Sequence, residues 1–328
     1  MERKTTKVLK WVALAIVLVL VVLIVARREW IYDFWRGVSY QPSEEMVKIR
    51  DRLGLTDYGV FLFNASQPAL NDSEEFNEKC RFEQDGNDAI VGCYTDQNIH
   101  IYNIKDSELD GIRECTSAHE LLHAVWDRMG EDERESYYES LSLVLNQNNE
   151  YLKDELELYE ENAKREELYV RAGTEIKDLP KDLEAHYAKV FKDQDKVVSY
   201  YDKYISVFRN LQAELESLKA EMETIKAQID TKEADYARRV DQLNKDIAEF
   251  NQCAATEGCF TSQWSFLVQR NALISEQAAL ESLYKEINDL IDSYNVKVNK
   301  YNEDVISSNK LNQMINSTAE VEELEIQE

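Results

Sequence analysis

Proline and glycine are scarce in this sequence. The 328 residues include only 3 prolines and 9 glycines, and Pro180 is the single proline between Pro68 and the C-terminus. Both residue types interrupt regular backbone, so long stretches without them favour helices and argue against a fold built from strands alone. The composition therefore predicts an α+β protein in which most residues are helical.

Basic residues are also in deficit. The chain has 38 lysines and arginines against 64 aspartates and glutamates, which gives a formal net charge of −26. A nucleic-acid partner needs a basic surface that neutralises phosphates, so this composition argues against nucleic-acid binding. The acidity otherwise indicates solubility rather than a particular function.

One long hydrophobic run stands near the N-terminus. The segment from Trp11 to Ala26 contains sixteen consecutive apolar residues, with Lys10 before it and Arg27 and Arg28 after it. A helix needs about 20 apolar residues to cross a bilayer, and flanking Lys and Arg side chains can extend a shorter run. Arg27 and Arg28 would make a poor cleavage site, so residues 1–28 are predicted to be a cytoplasmic stub and transmembrane anchor rather than a cleaved signal peptide.

The charges around this run predict an orientation. Basic residues and the free amine before the run outweigh those just after it, which places the N-terminus in the cytoplasm by the positive-inside rule. The rest of the chain is then expected outside the cytoplasm, in a single-pass membrane protein. A short anchor and few cysteines fit a bacterial cell envelope.

Cysteine is sparse, with five in the chain. Cys253 and Cys259 flank a glycine-containing turn, and Cys80 and Cys93 bracket another loop. In an oxidising compartment both pairs are candidate disulfides, and Cys115 is left single. The alternative is that all five are reduced. The absence of any C-x-x-C pair argues against a zinc knuckle.

Apolar residues follow a heptad pattern in the C-terminal part of the chain. They recur at alternating steps of three and four from Phe208 to Phe250, and again from Leu280 to Val305. Two such runs around a break at 251–263 predict an antiparallel coiled-coil hairpin with arms of about 60 Å. The hairpin either buries its own seam or serves as an arm for self-association or a protein partner.

The remaining segments complete the predicted organisation. Tyr58 to Phe63 has the character of a buried strand, and residues 89–94 and 99–104 are predicted to form a β-hairpin before a helix that ends near Met129. The predicted divisions are the stub and anchor at 1–28, a juxtamembrane stalk at 29–54, a domain with a short sheet at 55–192, the hairpin at 193–315 and a disordered acidic tail at 316–328.

Histidine is rare, yet two of the 4 histidines lie four residues apart. His119 and His123 fall on the predicted helix, so both imidazoles project from one face, as two ligands of a tetrahedral zinc do. Glu120 lies beside them, where its carboxylate can reach a metal-bound water. A chance H-E-x-x-H pattern is expected in about one of a hundred chains so poor in histidine. The alternative is two surface histidines that pair with carboxylates.

The H-E-x-x-H pattern at 119–123 resembles that of the zincin metallopeptidases, and the resemblance covers about residues 55–190. It implies that His119 and His123 bind one zinc ion per chain. It implies that Glu120 is the general base for a zinc-bound water that hydrolyses a polypeptide substrate. It also implies an edge strand along which the substrate lies, and Ile99 to Ile104 is the candidate.

The third zinc ligand is open to several glutamates. The extension typical of metzincins is absent, because Trp126 and Met129 stand at its glycine and histidine positions. The gluzincin branch instead takes a glutamate from a following helix, and Glu167 is the first candidate because it shares a helical stripe with Ala163 and Val170. The alternative third ligands are Glu166, Glu175 and Glu184.

Three further side chains are candidates for contact with the substrate or a developing oxyanion. They are Tyr169, His186 and Tyr187. Each of them is equally compatible with a packing role.

Two functions remain after these considerations. The first is a membrane-anchored, extracytoplasmic zinc metallopeptidase, more in keeping with an endopeptidase than an exopeptidase. The second is a non-catalytic cell-surface coiled-coil scaffold with a relict or structural zinc site. Glu120 beside both histidines favours the enzyme, because a relict site would be free to lose it.

Overall fold

The computed structural model describes residues 14, 17–18, 21–22, 25, 27–81, 90–147, 150–157, 159–161 and 163–318. Most of these residues are helical. The elements are, in chain order, α1 (Arg28–Ser39), α2 (Glu44–Leu53), α3 (Asp57–Ala65), β1 (Ala69–Asn71), α4 (Ser73–Lys79), β2 (Gly92–Thr95), β3 (Asn98–Tyr102), a 3-10 turn (Ser107–Leu109), α5 (Ile112–Arg128), α6 (Glu131–Ser136), α7 (Tyr138–Asn146), α8 (Glu150–Glu157), α9 (Lys164–Glu175), α10 (Lys181–Tyr187), α11 (Gln194–Ala254) and α12 (Gln263–Ile315).

The chain divides into two compact units. Phe208–Lys310 forms one of them, which we call the hairpin unit. The described residues before and after that range form the other, which we call the mixed unit because it contains both the helices and the sheet.

The prediction of a transmembrane anchor at residues 1–28 requires correction. Among the residues that the structure describes, no helix is both long enough and apolar enough to cross a membrane. Most of the predicted anchor lies outside the described residues. The single-pass membrane location was inferred from that anchor alone, so it is not supported either.

The predicted strand at Tyr58 to Phe63 is also wrong, because these residues lie in helix α3. The helix begins after Thr56, whose side chain accepts a hydrogen bond from the backbone N–H of Gly59. A threonine in this position satisfies a free donor of the first turn, and this stabilises the helix start. Leu62 and Phe63 are buried, since a short apolar run serves a buried helix as well as a strand.

A small sheet of three strands lies in the mixed unit, in the order β1-β3-β2. Strand β3 pairs with β1 in parallel and with β2 in antiparallel orientation. Asp96 and Gln97 form the β2–β3 turn with positive φ values of 49° and 61°, which suit a two-residue hairpin. The predicted role of Ile99 to Ile104 as an edge strand is therefore wrong, because β3 is paired on both sides and β2 lies at the edge.

Helix α5 is central to the core of the mixed unit. Ala118, Leu121 and Leu122 on this helix are fully buried, and they belong to the same cluster as Ile99 and Ile101 of strand β3. Burying apolar side chains removes them from water and stabilises the fold by roughly 25 cal/mol per Å². The packing fixes the position of α5 relative to the sheet.

The hairpin unit consists of parts of α11 and α12. Ion pairs join the two helices, and their partners change in opposite directions along the chain: Glu214 with Lys300, Glu221 with Lys297, Lys232 with Glu286 and Arg239 with Glu276. This order shows that the helices run antiparallel. Leu243, Leu280 and Ile287 are buried along the seam.

Two disulfides are present, in the pairings that the sequence favours. Cys80 and Cys93 join the end of α4 to strand β2, with their Cα atoms 5.8 Å apart. Cys253 and Cys259 close the turn between α11 and α12. Cys115 is a buried free thiol.

Candidate metal centre

His119 and His123 face each other on one side of helix α5. Their Nε2 atoms are 3.3 Å apart, as expected for residues separated by one helical turn. The side chains are partly accessible, with 21% and 19% of their surface exposed. A ligand can therefore approach them, whereas the opposite face of the helix is anchored in the core.

Helix α9 brings a carboxylate to this pair. Its Gly173 lies so close to α5 that an added Cβ would be 2.5 Å from Leu122 Cδ1 and 2.7 Å from a ring carbon of Tyr187. The ring of Tyr169 also packs on Trp126 of α5, with centroids 4.9 Å apart. The glycine permits this close approach of the two helices.

Glu167 of α9 completes a three-residue group. Its Oε1 lies 3.7 Å from Nε2 of His119, and its Oε2 lies 3.6 Å from Nε2 of His123. One ligand atom from each residue can be chosen such that all three lie within 4.8 Å of one another. His119, His123 and Glu167 thus form a group that could hold a metal ion.

Glu166 occupies a different position around His123. Its Oε1 lies 2.8 Å from Nδ1, on the side of the imidazole opposite the Nε2 that faces Glu167. An ionised carboxylate only accepts, so Nδ1 donates this hydrogen bond. The arrangement orients the ring and directs Nε2 towards the group, as outer partners of metal-binding histidines do. Glu166 is therefore placed as a hydrogen-bond partner of His123.

Arg171 binds Glu167 through Oε1, the oxygen that also lies 3.7 Å from Nε2 of His119. Its Nε donates to Oε1 of Glu167 over 2.6 Å, and its Nη1 donates to Oε1 of Glu175 over 3.2 Å. Only 12% of the Arg171 side chain is exposed, and 4% of that of Glu167. Glu175 pairs with this guanidinium and does not belong to the group of His119, His123 and Glu167.

The charges of the group favour opposite protonation of the two histidines. Burial lowers the pKa of His119 to about 3, although the carboxylate of Glu167 opposes the shift. Burial also acts against the charged form of His123, but its hydrogen bond to Glu166 and the nearby carboxylate of Glu120 raise its pKa to about 9. A cation that binds Nε2 of His123 must therefore displace a proton.

Glu120 lies next to strand β2. It is 5% exposed, and a Cβ added to Gly92 would be 2.6 Å from its Oε1. The same Cβ would be 2.4 Å from Cγ2 of Thr116. The carboxylate thus fills space that only a glycine at position 92 leaves open, beside both the edge strand and the histidine pair.

The remaining predicted site residues lie elsewhere. Tyr169 and Tyr187 are fully buried, and the hydroxyl of Tyr187 donates to the backbone carbonyl of Tyr169 over 2.6 Å. His186 is buried with them and lies 2.9 Å from the Tyr169 hydroxyl through Nε2. Glu184 is exposed on α10. These three buried rings present no accessible surface for contact with a substrate.

Sequence reasoning missed two residues of the centre. Arg171 follows Glu167 by four positions on one helix, and that spacing is a recognisable signal for an ion pair. Gly92 has no comparable signal, because its contact with Glu120 joins a strand to a helix and depends on the fold.

Comparison of the chain with protein-family models, with curated proteins and with solved structures finds no match, so the interpretation of the centre depends on its own geometry.

Proposed function

We propose that this protein is a zinc-dependent metallopeptidase that cleaves internal peptide bonds of a polypeptide substrate. His119, His123 and Glu167 are the proposed zinc ligands, and Glu120 is the proposed general base. The observation that carries the proposal is the spacing of the three donor atoms. The resemblance of residues 119–123 to the zincin pattern is consistent with it.

The donor groups are spaced close to the distances around a small tetrahedral ion. Zinc bonds of about 2.0–2.2 Å at tetrahedral angles place neighbouring ligand atoms about 3.3–3.6 Å apart. The observed separations are 3.3 Å between the two Nε2 atoms, 3.7 Å from Oε1 of Glu167 to His119 and 3.6 Å from Oε2 of Glu167 to His123. Because these contacts use different oxygens, the Glu167 carboxylate must turn so that one oxygen approaches both histidines when the group holds such an ion.

The number of ligands favours catalysis over a structural role. Structural zinc sites are usually closed by four protein ligands, whereas catalytic sites use three and leave a position open. Within the described part of the chain, three residues gather in the group. Two of them, His119 and His123, are also partly exposed, which leaves an approach for a substrate.

Glu120 supplies the proton transfers in this proposal. When bound, zinc supplies Lewis acidity that activates water near neutral pH and polarises a carbonyl group. The carboxylate of Glu120 accepts the proton of the attacking water and later delivers it to the leaving amine. Its low exposure and its neighbour Gly92 restrict the carboxylate to the side of α5 that faces the edge strand.

Among the described residues, β2 pairs with β3 alone, and its other edge is the proposed binding position for an extended substrate. Tyr102 donates a backbone hydrogen bond to the carbonyl of Val91, so residues 91 and 102 form a hydrogen-bonded pair. Pairing alternates along an antiparallel ladder, and the main-chain groups of Gly92 and Tyr94 therefore point away from β3. A polypeptide strand can pair with these groups directly beside Glu120.

The test uses the full-length chain and its Glu120→Gln and His123→Ala variants. Zinc content is measured by elemental analysis, and hydrolysis is measured on an unfolded, labelled protein with product mapping by mass spectrometry. We expect one zinc per chain in the parent and in Glu120→Gln, loss of zinc in His123→Ala, and internal cleavage by the parent alone. A parent that binds no zinc, or a Glu120→Gln variant that cleaves as fast as the parent, would refute the proposal.

A further inference from the structure

Arg171 is bonded directly to the proposed ligand Glu167. The two residues are one helical turn apart on α9, and Nε of Arg171 donates to Oε1 of Glu167 over 2.6 Å. Both side chains are shielded from solvent, at 12% and 4% exposure. A charge-assisted bond in such surroundings fixes the orientation of the carboxylate.

The guanidinium is itself held in place by two other carboxylates. Its Nη1 donates to Glu175 over 3.2 Å on the same helix, and its Nη2 lies 3.5 Å from Glu155 of α8. The planar fork of arginine can serve three acceptors at once in a fixed geometry, whereas a lysine ammonium is a flexible point charge. Contacts from two helices therefore determine where Nε points.

We propose that Arg171 is a positioning residue that sets the rotamer of Glu167, so that its carboxylate faces Nε2 of both His119 and His123. This inference rests on the proposed zinc site. A free glutamate side chain loses rotamer freedom when it binds a metal. With Oε1 already held by Arg171, that loss has occurred on folding, and Oε2 remains 3.6 Å from Nε2 of His123.

The charge of Arg171 is compatible with a neighbouring cation. Three glutamates surround the one guanidinium, so this cluster carries a formal charge of −2 when all its members are ionised. A divalent ion bound at Glu167 would bring the formal sum to zero. Arg171 thus orients the ligand without making the region repulsive to a metal.

Two substitutions separate positioning from charge. Arg171→Lys keeps the positive charge but removes the fork, so Glu167 loses its directed bond. Glu175→Gln is the matched control, because its amide oxygen still accepts from Nη1 of Arg171, only the negative charge is removed, and the bond from Nε to Glu167 is left intact. Both are tested in the full-length protein after metal removal by a chelator.

Zinc affinity is measured by competition with a chromophoric chelator, and the thermal unfolding of the metal-free protein is recorded as a check of folding. Arg171→Lys is expected to weaken zinc binding by about 10- to 100-fold, the range for residues that orient metal ligands. Glu175→Gln is expected to stay within about threefold of the parent. The visible absorption of the Co²⁺-loaded protein should change in Arg171→Lys and not in Glu175→Gln, since it reports the arrangement of ligands.

Retention of parental zinc affinity by a folded Arg171→Lys variant would overturn the inference, and so would an equal loss in Glu175→Gln. If Arg171→Lys does not fold, the double variant Arg171→Met with Glu175→Gln removes the cation together with the negative charge of one buried partner. Loss of zinc affinity in the folded double variant supports the inference, and parental affinity overturns it.

The outcome is separable from that of the proposed function. A parent that binds zinc without hydrolysing polypeptides refutes the peptidase, yet the affinities of Arg171→Lys and Glu175→Gln still decide the role of Arg171. A parent that binds and hydrolyses, with an unchanged Arg171→Lys variant, overturns this inference alone. A parent that binds no zinc overturns both.

Discussion

One ion pair of the hairpin unit and one of the mixed unit differ sharply in their exposure to solvent. In the hairpin, Lys232 and Glu286 pair across the two helices with 36% and 55% of their side chains exposed. In the mixed unit, Arg171 and Glu167 pair with 12% and 4% exposed. Exposed pairs contribute about 0–1 kcal/mol, whereas removal of one partner from a buried pair costs about 3–5 kcal/mol. The exposed pair in the hairpin can therefore be replaced with little loss of stability, whereas the buried pair in the mixed unit cannot.

The origin of the contacts differs in the same way. The hairpin repeats one type of contact along a heptad pattern, so each turn resembles the next. The candidate metal centre combines single residues from α5, α9 and β2, each of which has one role. Substitutions should therefore act gradually in the hairpin unit and sharply in the mixed unit.

The largest effect is expected from Glu167→Gln. The amide keeps the shape of the side chain but lacks the charge that a proposed zinc ligand supplies. Zinc affinity should therefore fall by more than about 100-fold, which is the upper end of the range for residues that only orient a metal ligand. Glu166→Gln should lose about 10- to 100-fold, because it only orients His123. The exposed Glu184→Gln is the matched control, and chelator competition measures all three affinities. Equal affinities in Glu167→Gln and Glu184→Gln would show that Glu167 is not a ligand.

A pH-dependent loss of stability is expected in the mixed unit through His186. The residue is 4% exposed, its Nδ1 has no hydrogen-bond partner within the described structure, and burial lowers its pKa to about 4. The unfolded state, with a pKa near 6.5, then binds the proton more tightly. The contribution of neutral His186 to the free energy of unfolding is therefore present above about pH 6.5 and is lost as the pH falls towards 4. The full loss is about 3 kcal/mol, and roughly half of it has occurred by pH 5.5.

His186→Phe removes this titration, and its free energy of unfolding should fall less than that of the parent between pH 7.5 and pH 5.5. Tyr169→Phe is the matched control, because it removes the hydrogen bond to His186 and keeps the titrating ring. Urea unfolding with amide exchange over α10, in the presence of a chelator, measures the difference. A parental pH dependence in His186→Phe would contradict the assignment. The hairpin unit contains no histidine and should not show this effect.

A change of one methyl group at Gly92 should disturb the proposed catalytic base without removing zinc. The added Cβ would be 2.6 Å from Oε1 of Glu120 and 2.4 Å from Cγ2 of Thr116, so Glu120 must move. Misplacement of a reacting group by about 1 Å costs about 100-fold in rate, and Gly92→Ala should lose this much in kcat/KM with unchanged zinc affinity. Gly130→Ala is the control, since nothing lies within 4 Å of its Cβ position. Full activity in Gly92→Ala would show that Glu120 tolerates displacement.

Local patterns in the sequence predicted the features that depend on local geometry. The spacing of His119 and His123 fixes both on one face of a helix, and the heptads favour the helical hairpin that the structure contains. Glu166 and Glu167 could not be distinguished in this way. They are neighbours on one helix about 100° apart, and the packing of α9 on α5 determines which of them faces Nε2.

Features that hydropathy leaves ambiguous, or that depend on distant contacts, were not predicted. The apolar segment from Tyr58 to Phe63 is compatible with a strand or a buried helix, and the cap at Thr56 decides for the helix. The order of the strands was equally hidden, because β1 adds to β3 only in the folded sheet. The transmembrane anchor rested on the apolar run and its flanking basic residues, and the described helices do not support it.

The smallest effect is expected from Lys232→Ala in the hairpin unit. Its pair with Glu286 is exposed, so the loss should be about 0.2–1 kcal/mol in the local stability of the hairpin and should shrink in high salt. Amide exchange over residues 225–240 measures it at two salt concentrations, and the exchanged pair Lys232→Glu with Glu286→Lys should restore the parental value. Zinc affinity should not change in any of these variants. A loss of local stability above about 2 kcal/mol would contradict the contrast, because the exposed Lys232–Glu286 pair would then contribute as much as a buried pair. A change in zinc affinity would contradict it as well, because the hairpin pair would then influence the candidate metal centre.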